Sequence, residues 1–283
     1  MIRLYADSTC DLSGDLIEKC GIAIIPLYIS LGDKTGKDGI EITPDDIYKW
    51  ADEVKDTPKT AACSPDDALK EVEICKAAGD DMIFIGISEE MSSTCNSVRI
   101  AADMAEYSEH VYVVDSMNLS TGEGLLLLRT ADMIKEGKTA AEIVDELSRL
   151  RPLVKSSFVV DTLTYLHRGG RCSAVTALLA NTLKLKPKIV VKDGKMGVDS
   201  KYRGKQSQVV LKYVTDLKEQ LLNAEEDNVF ITHSGIDDSI VESVKEYLAG
   251  LNYFKNIYVT RAGGVVSSHC GPGTLGVLFI SKL

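Results

Sequence analysis

Short apolar runs rich in β-branched residues recur along the chain with amphipathic stretches between them, and this alternation constrains the fold more than any other feature. In the first half, residues 2–6, 22–29, 82–87 and 111–114 read as strands. Two parallel strands can be joined only through a crossover long enough to hold a helix, so alternation of this kind predicts a largely parallel sheet flanked by helices, an α/β fold. Hydroxyl or carboxylate residues mark the expected helix starts at Asp11, Thr43-Pro44, Ser64-Pro65, Ser92 and Ser120. Proline takes the first helical position twice, where its missing N–H costs nothing.

At 283 residues the chain exceeds the range in which a single core keeps growing, which favours two units. A helical pattern over 139–150 runs into Pro152, and a new strand is expected at 156–160. The boundary is therefore placed there, with an N-terminal α/β domain over 1–153 and a C-terminal one over 154–283. The second half alternates less regularly. Strands are expected near 188–191, 229–232, 257–260 and 277–280, and helices near 174–183, 209–222 and 239–248, a mixed α/β pattern.

Composition removes several function classes. A net charge of −10 opposes a phosphate-tracking surface, so nucleic acid is not an expected partner. Seven cysteines, an odd number without a CxxC pair, read as free thiols. The segment Met1-Ile2-Arg3-Leu4-Tyr5-Ala6-Asp7 opens directly into a strand pattern rather than a leader, and no apolar stretch approaches the roughly 20 residues of a membrane span, so a cytoplasmic location is expected. The four histidines are scattered, and no metal site is expected. Gly271-Pro272-Gly273-Thr274-Leu275-Gly276 fits a dinucleotide fingerprint in letters only, because seven residues after Gly276 leave no room for the crossover helix. Neither a phosphate-binding GxxxxGK[ST] loop nor a GxSxG elbow occurs, so no cofactor is expected.

Three places hold polar groups in positions where ligands gather. Ser88 to Thr94 lies at the carboxyl end of an expected strand, where the free N–H groups of a helix start and the hydroxyls of Ser92 and Thr94 form a receptor for an anion; plain N-capping is the competing explanation. Thr60, ahead of Ser64-Pro65, offers a similar arrangement. His269 follows Val265-Val266-Ser267-Ser268 and is read as a strand end breaking into a Gly-Pro turn. Basic clusters at Leu166-His167-Arg168-Gly169-Gly170-Arg171 and Lys201-Tyr202-Arg203-Gly204-Lys205 stand out in an acidic chain, with a solvated face as the simpler account.

These segments together resemble the DegV family, which includes the fatty-acid-binding subunits of the bacterial fatty acid kinase system. The resemblance rests on Ala6-Asp7-Ser8-Thr9-Cys10-Asp11-Leu12, Val114-Asp115-Ser116 with Ser120-Thr121-Gly122, Leu163 to Arg171, and His269-Cys270-Gly271-Pro272-Gly273. It implies a two-domain DegV-like fold with a lipid site between the domains. It also implies a non-catalytic subunit that binds a long-chain fatty acid and presents the carboxylate to an ATP-dependent kinase for acyl phosphate formation, with transient membrane-surface contact allowed. The family's ligand contacts fall on Thr60, Ser92 and His269, with Thr94 beside Ser92, and Arg171 and Arg203 are the expected partner-docking residues. Two departures bear on the head group: Ala61-Ala62-Cys63 replaces Ser-Gln-Pro, and Ser93 replaces a glycine. The alternatives are an acyl hydrolase or transferase with Ser92 or Cys270 as nucleophile and His269 as base, and a lipid-sensing regulator without a kinase.

Overall fold

Fully buried strands need helices on both faces, and the first sheet meets that demand. In the computed structural model, which describes residues 1–176 and 185–282, β1 (Ile2–Asp7), β2 (Ile22–Ile25), β6 (Asp81–Gly86) and β7 (Val111–Asp115) form a sheet ordered β2-β1-β6-β7, all parallel. Tyr5, Met82 and Phe84 point to one face, where the Pro65–Ala78 and Thr94–Met104 helices pack. Leu4, Ala6, Ile83 and Ile85 point to the other, against the Thr121–Lys135 and Ala140–Leu150 helices.

The run 22–29 is not one strand. Pro26 supplies no ladder N–H, so β2 ends at Ile25 and the chain turns into a separate antiparallel sheet, β4-β3-β5, built from β3 (Tyr28–Leu31), β4 (Lys34–Lys37) and β5 (Lys59–Ala61). Asp11 does not start a helix either. It is left-handed, at φ 52°, and closes a short turn, whereas Ser13 precedes the Gly14–Cys20 helix.

Downstream lies a six-stranded sheet of β8 (Val154–Val159), β9 (Leu185–Lys192), β10 (Lys195–Arg203), β11 (Ala224–His233), β12 (Asn256–Arg261) and β13 (Leu275–Ser281). Its order is β10-β9-β8-β13-β11-β12, and only β11 and β12 run parallel. The Gln206–Asp216 and Asp238–Gly250 helices cover one face. On the other, Phe230, Leu278 and Ile280 meet the Thr121–Lys135 helix, which is thereby enclosed between the two sheets. Its four consecutive leucines, Leu125 to Leu128, are all buried, as a helix covered on every side requires.

Two further expectations change. The pattern at 209–222 divides into Gln206–Asp216 and a turn at Lys218–Leu221. Of the helix expected near 174–183, residues 177–183 lie outside the described residues, and Ser173–Val175 forms a 3-10 turn.

Tyr213 joins the covering helix to the sheet beneath it. Fully buried, its hydroxyl donates to the Ser157 carbonyl at 2.7 Å and accepts the Val277 N–H at 3.0 Å. Tyr213→Phe keeps the ring and strands both groups, so urea unfolding should show a loss of about 1–3 kcal/mol. A loss below about 0.5 kcal/mol would mean that these bonds contribute nothing net.

Candidate functional site

The segment expected to end a strand before His269 is instead a helix, Gly264–Cys270. Its β-branched pair Val265-Val266 favours a strand locally, but tertiary contacts override that propensity. The helix packs beside the small sheet, and its start is tight. A Cβ on Gly264 would stand 2.5 Å from Ile29 Cδ1 and 2.7 Å from Asp38 Oδ1.

This packing brings His269 to β5, where its Nε2 lies 2.8 Å from Thr60 Oγ1. Both residues line a cavity whose empty space, open mouth included, is about 520 Å³. Ser92 lines it too, with Oγ 2.8 Å from Thr94 Oγ1. Thr94 is buried at the first position of its helix and is not among the cavity-lining residues. Arg171 stands exposed at the rim, donating to the carbonyls of Gly169 at 2.8 Å and Met91 at 3.4 Å. Arg203 closes β10 on the exposed surface and does not line the cavity.

The remaining walls are mostly apolar: Leu27, Ile87, Met91, Leu119, Met196, Val265 and Val266. Ala61 and Ala62 line it as well, so the departure from the family's polar pair removes polar side chains from the rim. Ser93 sits at φ −89°, a conformation open to any residue, so the absent glycine costs no strain there. Met196 arrives from the β9–β10 hairpin. That hairpin is pinned to the first half by Ser88 Oγ donating to the Gly194 carbonyl at 2.8 Å and by a Lys195–Glu90 ion pair at 3.3 Å.

A second chamber of about 330 Å³ shares Leu119, Val266 and Cys270 with the first and extends to Phe158, Thr232 and Leu278. Its hydroxyl residues are bonded elsewhere: Ser120 to Asp11, Thr232 to Thr121 and Thr260, Ser234 to the Gly271 carbonyl, Thr274 to the Cys270 carbonyl. What those side chains offer the chamber is therefore chiefly hydrocarbon.

Burial, then the nearby Arg171 guanidinium, pushes the His269 pKa down to about 4, so the imidazole is neutral at physiological pH. Among the described residues its buried Nδ1 has no partner. With the proton on Nε2, the ring donates to Thr60 Oγ1 and Nδ1 is left as a bare lone pair; the opposite tautomer would bury an orphan N–H. The first arrangement frees the Thr60 hydroxyl proton for an anion in the cavity. Gly169 makes room for the ring, since a Cβ there would stand 2.3 Å from Nδ1, while Gly170 caps its helix at φ 69°.

A nucleophile–base pair is not formed. Ser92 bonds Thr94 rather than His269, and burial, followed by Asp11 and Cys172, pushes the Cys270 thiol up to about 12. Among the described residues no cluster of ligating side chains fits a metal ion, and no helix is long and apolar enough to cross a membrane.

Fold and site together define an α/β protein of three sheets with a mostly apolar cavity that ends in neutral hydrogen-bond donors. The DegV family profile matches residues 1–282, and the chain belongs to the DegV family. A DegV domain-containing protein of Caldanaerobacter subterraneus subsp. tengcongensis is 31% identical over 282 residues, covering 99% of both chains. A DegV family protein from Thermus thermophilus, described as fatty-acid binding, superimposes with a TM-score of 0.91 at 30% identity over 99% of each chain. A stearic acid-binding protein from Eubacterium ventriosum gives 0.85 at 26% identity, over 100% of this chain and 99% of that one.

Sequence reasoning singled out the polar groups and missed most of the apolar wall. Leu119, Met196, Val265 and Val266 carry no pattern that separates cavity lining from ordinary core. As a test of the neutral imidazole, an NMR titration of the His269 ring should show its midpoint near pH 4. A midpoint between 6 and 7 would mean the ring is charged in acidic cytoplasm-like buffer.

Proposed function

We propose that the protein encloses one long-chain fatty acid between the halves 1–153 and 154–283, with the tail in the two chambers and the carboxylate at Thr60 and Ser92. The observation that carries this reading is the meeting of Thr60, Ser92 and a neutral His269 at one end of a mostly apolar cavity. The fatty acids bound by the Thermus and Eubacterium proteins supply the ligand class. A tail of about fifteen carbons yields a gross gain of about 12 kcal/mol at roughly 0.8 kcal/mol per CH₂. Hydroxyl donors to a carboxylate add about 1.5–3 kcal/mol each, so they chiefly fix depth and orientation.

In this reading the chain is a cytoplasmic carrier rather than a catalyst, and a separate ATP-dependent kinase phosphorylates the presented carboxylate. Arg171 at the rim, with Arg203 on the surface beyond, would dock that partner's acidic or nucleotide-bearing face. The absence of a nucleotide motif from the sequence and of a nucleophile–base pair from the cavity favours this division of labour over the hydrolase reading.

Native mass spectrometry of freshly purified protein should show one carboxylic acid of a single length class per chain; protein purified without lipid and unable to take up hexadecanoic acid would overturn the proposal. Thr60→Val and Ser92→Ala should each weaken hexadecanoic acid binding about tenfold to a hundredfold. Arg171→Ala should lower phosphorylation by the kinase while the lipid stays bound, and loss of the lipid would contradict the docking role.

A further inference from the structure

Ser92, one of the two hydroxyl donors of the cavity, hangs on a turn whose fixed point is Ser88. The Ser88 carbonyl accepts the N–H of Met91 at 2.9 Å and that of Ser92 at 3.1 Å, which closes the turn and sets where Ser92 stands. The Ser88 N–H donates to the Asn118 carbonyl at 2.8 Å, just beyond β7. Its side chain reaches across to the second half. Fully buried, Ser88 Oγ donates to the Gly194 carbonyl at 2.8 Å and accepts the Glu90 N–H at 3.3 Å. Every polar atom of this serine is used, and the one bond that its side chain donates leaves the first half.

Gly194 is shaped for that contact. Asp193 and Gly194 form the two-residue loop between Lys192 and Lys195, which pair across the β9–β10 hairpin. Both have positive φ, 50° and 77°, as a loop of that length takes to follow the strand twist. A Cβ at 194 would also stand 2.7 Å from Ser88 Oγ and 3.3 Å from Glu90 Cγ, so glycine is what lets the loop come this close. The exposed Lys195–Glu90 pair at 3.3 Å and the bond from Arg171 Nε to the Met91 carbonyl at 3.4 Å are weaker ties to the same turn.

The two head-group donors are braced alike. Thr60 and Ser92 both belong to the first half, and Thr60 is fixed from the second by His269 Nε2 at 2.8 Å. Ser92 receives its bond from the second half at one remove, through Ser88.

We propose that Ser88 is a positioning residue of the head-group site, which is assembled across the two halves: the Gly194 carbonyl holds Ser88, and Ser88 holds Ser92 against the carboxylate. The claim rests on the fatty-acid reading for its ligand. It adds that preference for an ionised head group depends on a bond whose partners, Ser88 and Gly194, are not among the cavity-lining residues. Hydrogen bonds weaken steeply as their geometry is lost, and those to a charged acceptor are about twice as strong as neutral ones. Tail burial is non-directional and tolerates a small shift of the turn. A loosened turn therefore penalises an acid more than a neutral lipid of equal length.

The whole chain, Ser88→Ala, Ser92→Ala and the double variant are compared for affinity toward hexadecanoic acid and hexadecan-1-ol, which share a tail and differ in head-group charge. Ser88→Ala should weaken the acid about tenfold and the alcohol less than about threefold. In the Ser92→Ala background it should cost less than about twofold, because nothing is left to position. Equal losses for acid and alcohol, losses that multiply in the double variant, or no loss at all would each overturn the proposal. Wild type that takes up neither ligand would sink the fatty-acid reading alone. Amide hydrogen exchange of the lipid-free chain would then decide. Ser88→Ala should speed exchange at Met91 and Ser92 about tenfold while the β6 amides keep wild-type rates, and uniform acceleration or none would overturn the positioning role. If Ser88→Ala does not fold, Lys195→Glu loosens the same turn from the surface. It should weaken the acid about threefold, and adding Glu90→Lys should restore binding. A loss that is absent, shared by the alcohol or not restored would overturn the proposal.

Discussion

Enclosure of the Thr121–Lys135 helix between two sheets sets the geometry of everything around it. A helix with its side chains is about 10–12 Å across, so it acts as a spacer wherever it runs. Before Thr121 the spacer has not begun, yet the walls are present: Ile87 follows β6 on one side, and Phe158, Thr232 and Leu278 stand on the strands of the other. Leu119 and Ser120, the last residues ahead of the helix, line chambers at that end. The cavity is thus a consequence of where a buried helix starts, and the short Gly264–Cys270 helix closes its side.

Such a gap is filled at one end by groups that are polar but uncharged. Burial keeps His269 neutral, and among the described lining residues the full charge is that of Arg171, at the rim. An isolated charge moved into an apolar interior costs several kcal/mol even after relaxation. Neutral donors avoid that cost while the cavity is empty. They also leave the attraction for an anionic ligand short-ranged, which suits a protein of net charge −10 whose overall field repels anions.

Much of this was legible in the sequence because the signals are local. The parallel sheet follows from alternation, and the caps at Thr43 and Ser64 are capping boxes in the structure. Thr60, Ser92 and His269 stand out locally at helix starts and a glycine-proline turn, with their ligand role implied by the family resemblance, and all three line one cavity. What failed locally was decided by tertiary contact. Pro26 diverts a strand that its apolar neighbours extend, and Val265-Val266 turns helical because the backbone of Gly263 and Gly264 is held by Asp11 and Asp38. Ser120 reads as an ordinary helix cap, whereas its hydroxyl bonds Asp11 instead. No periodicity announces that Ser88 and Gly194, far apart along the chain, meet across the two halves.

The choice of hydroxyls over a guanidinium at the polar end of the cavity matters for the proposed role. An arginine would bind both carboxylate oxygens in a fork and neutralise them, which holds a ligand firmly and blunts its nucleophilicity. Thr60 and Ser92 can each give one hydrogen bond, leaving lone pairs on the carboxylate free. In the proposed complex tail burial would supply most of the binding free energy, so the head group need not be gripped strongly. In the proposed complex a carboxylate so held would stay ionised and reactive at the rim, where Arg171 would meet the charge of an incoming partner without occupying the oxygens themselves.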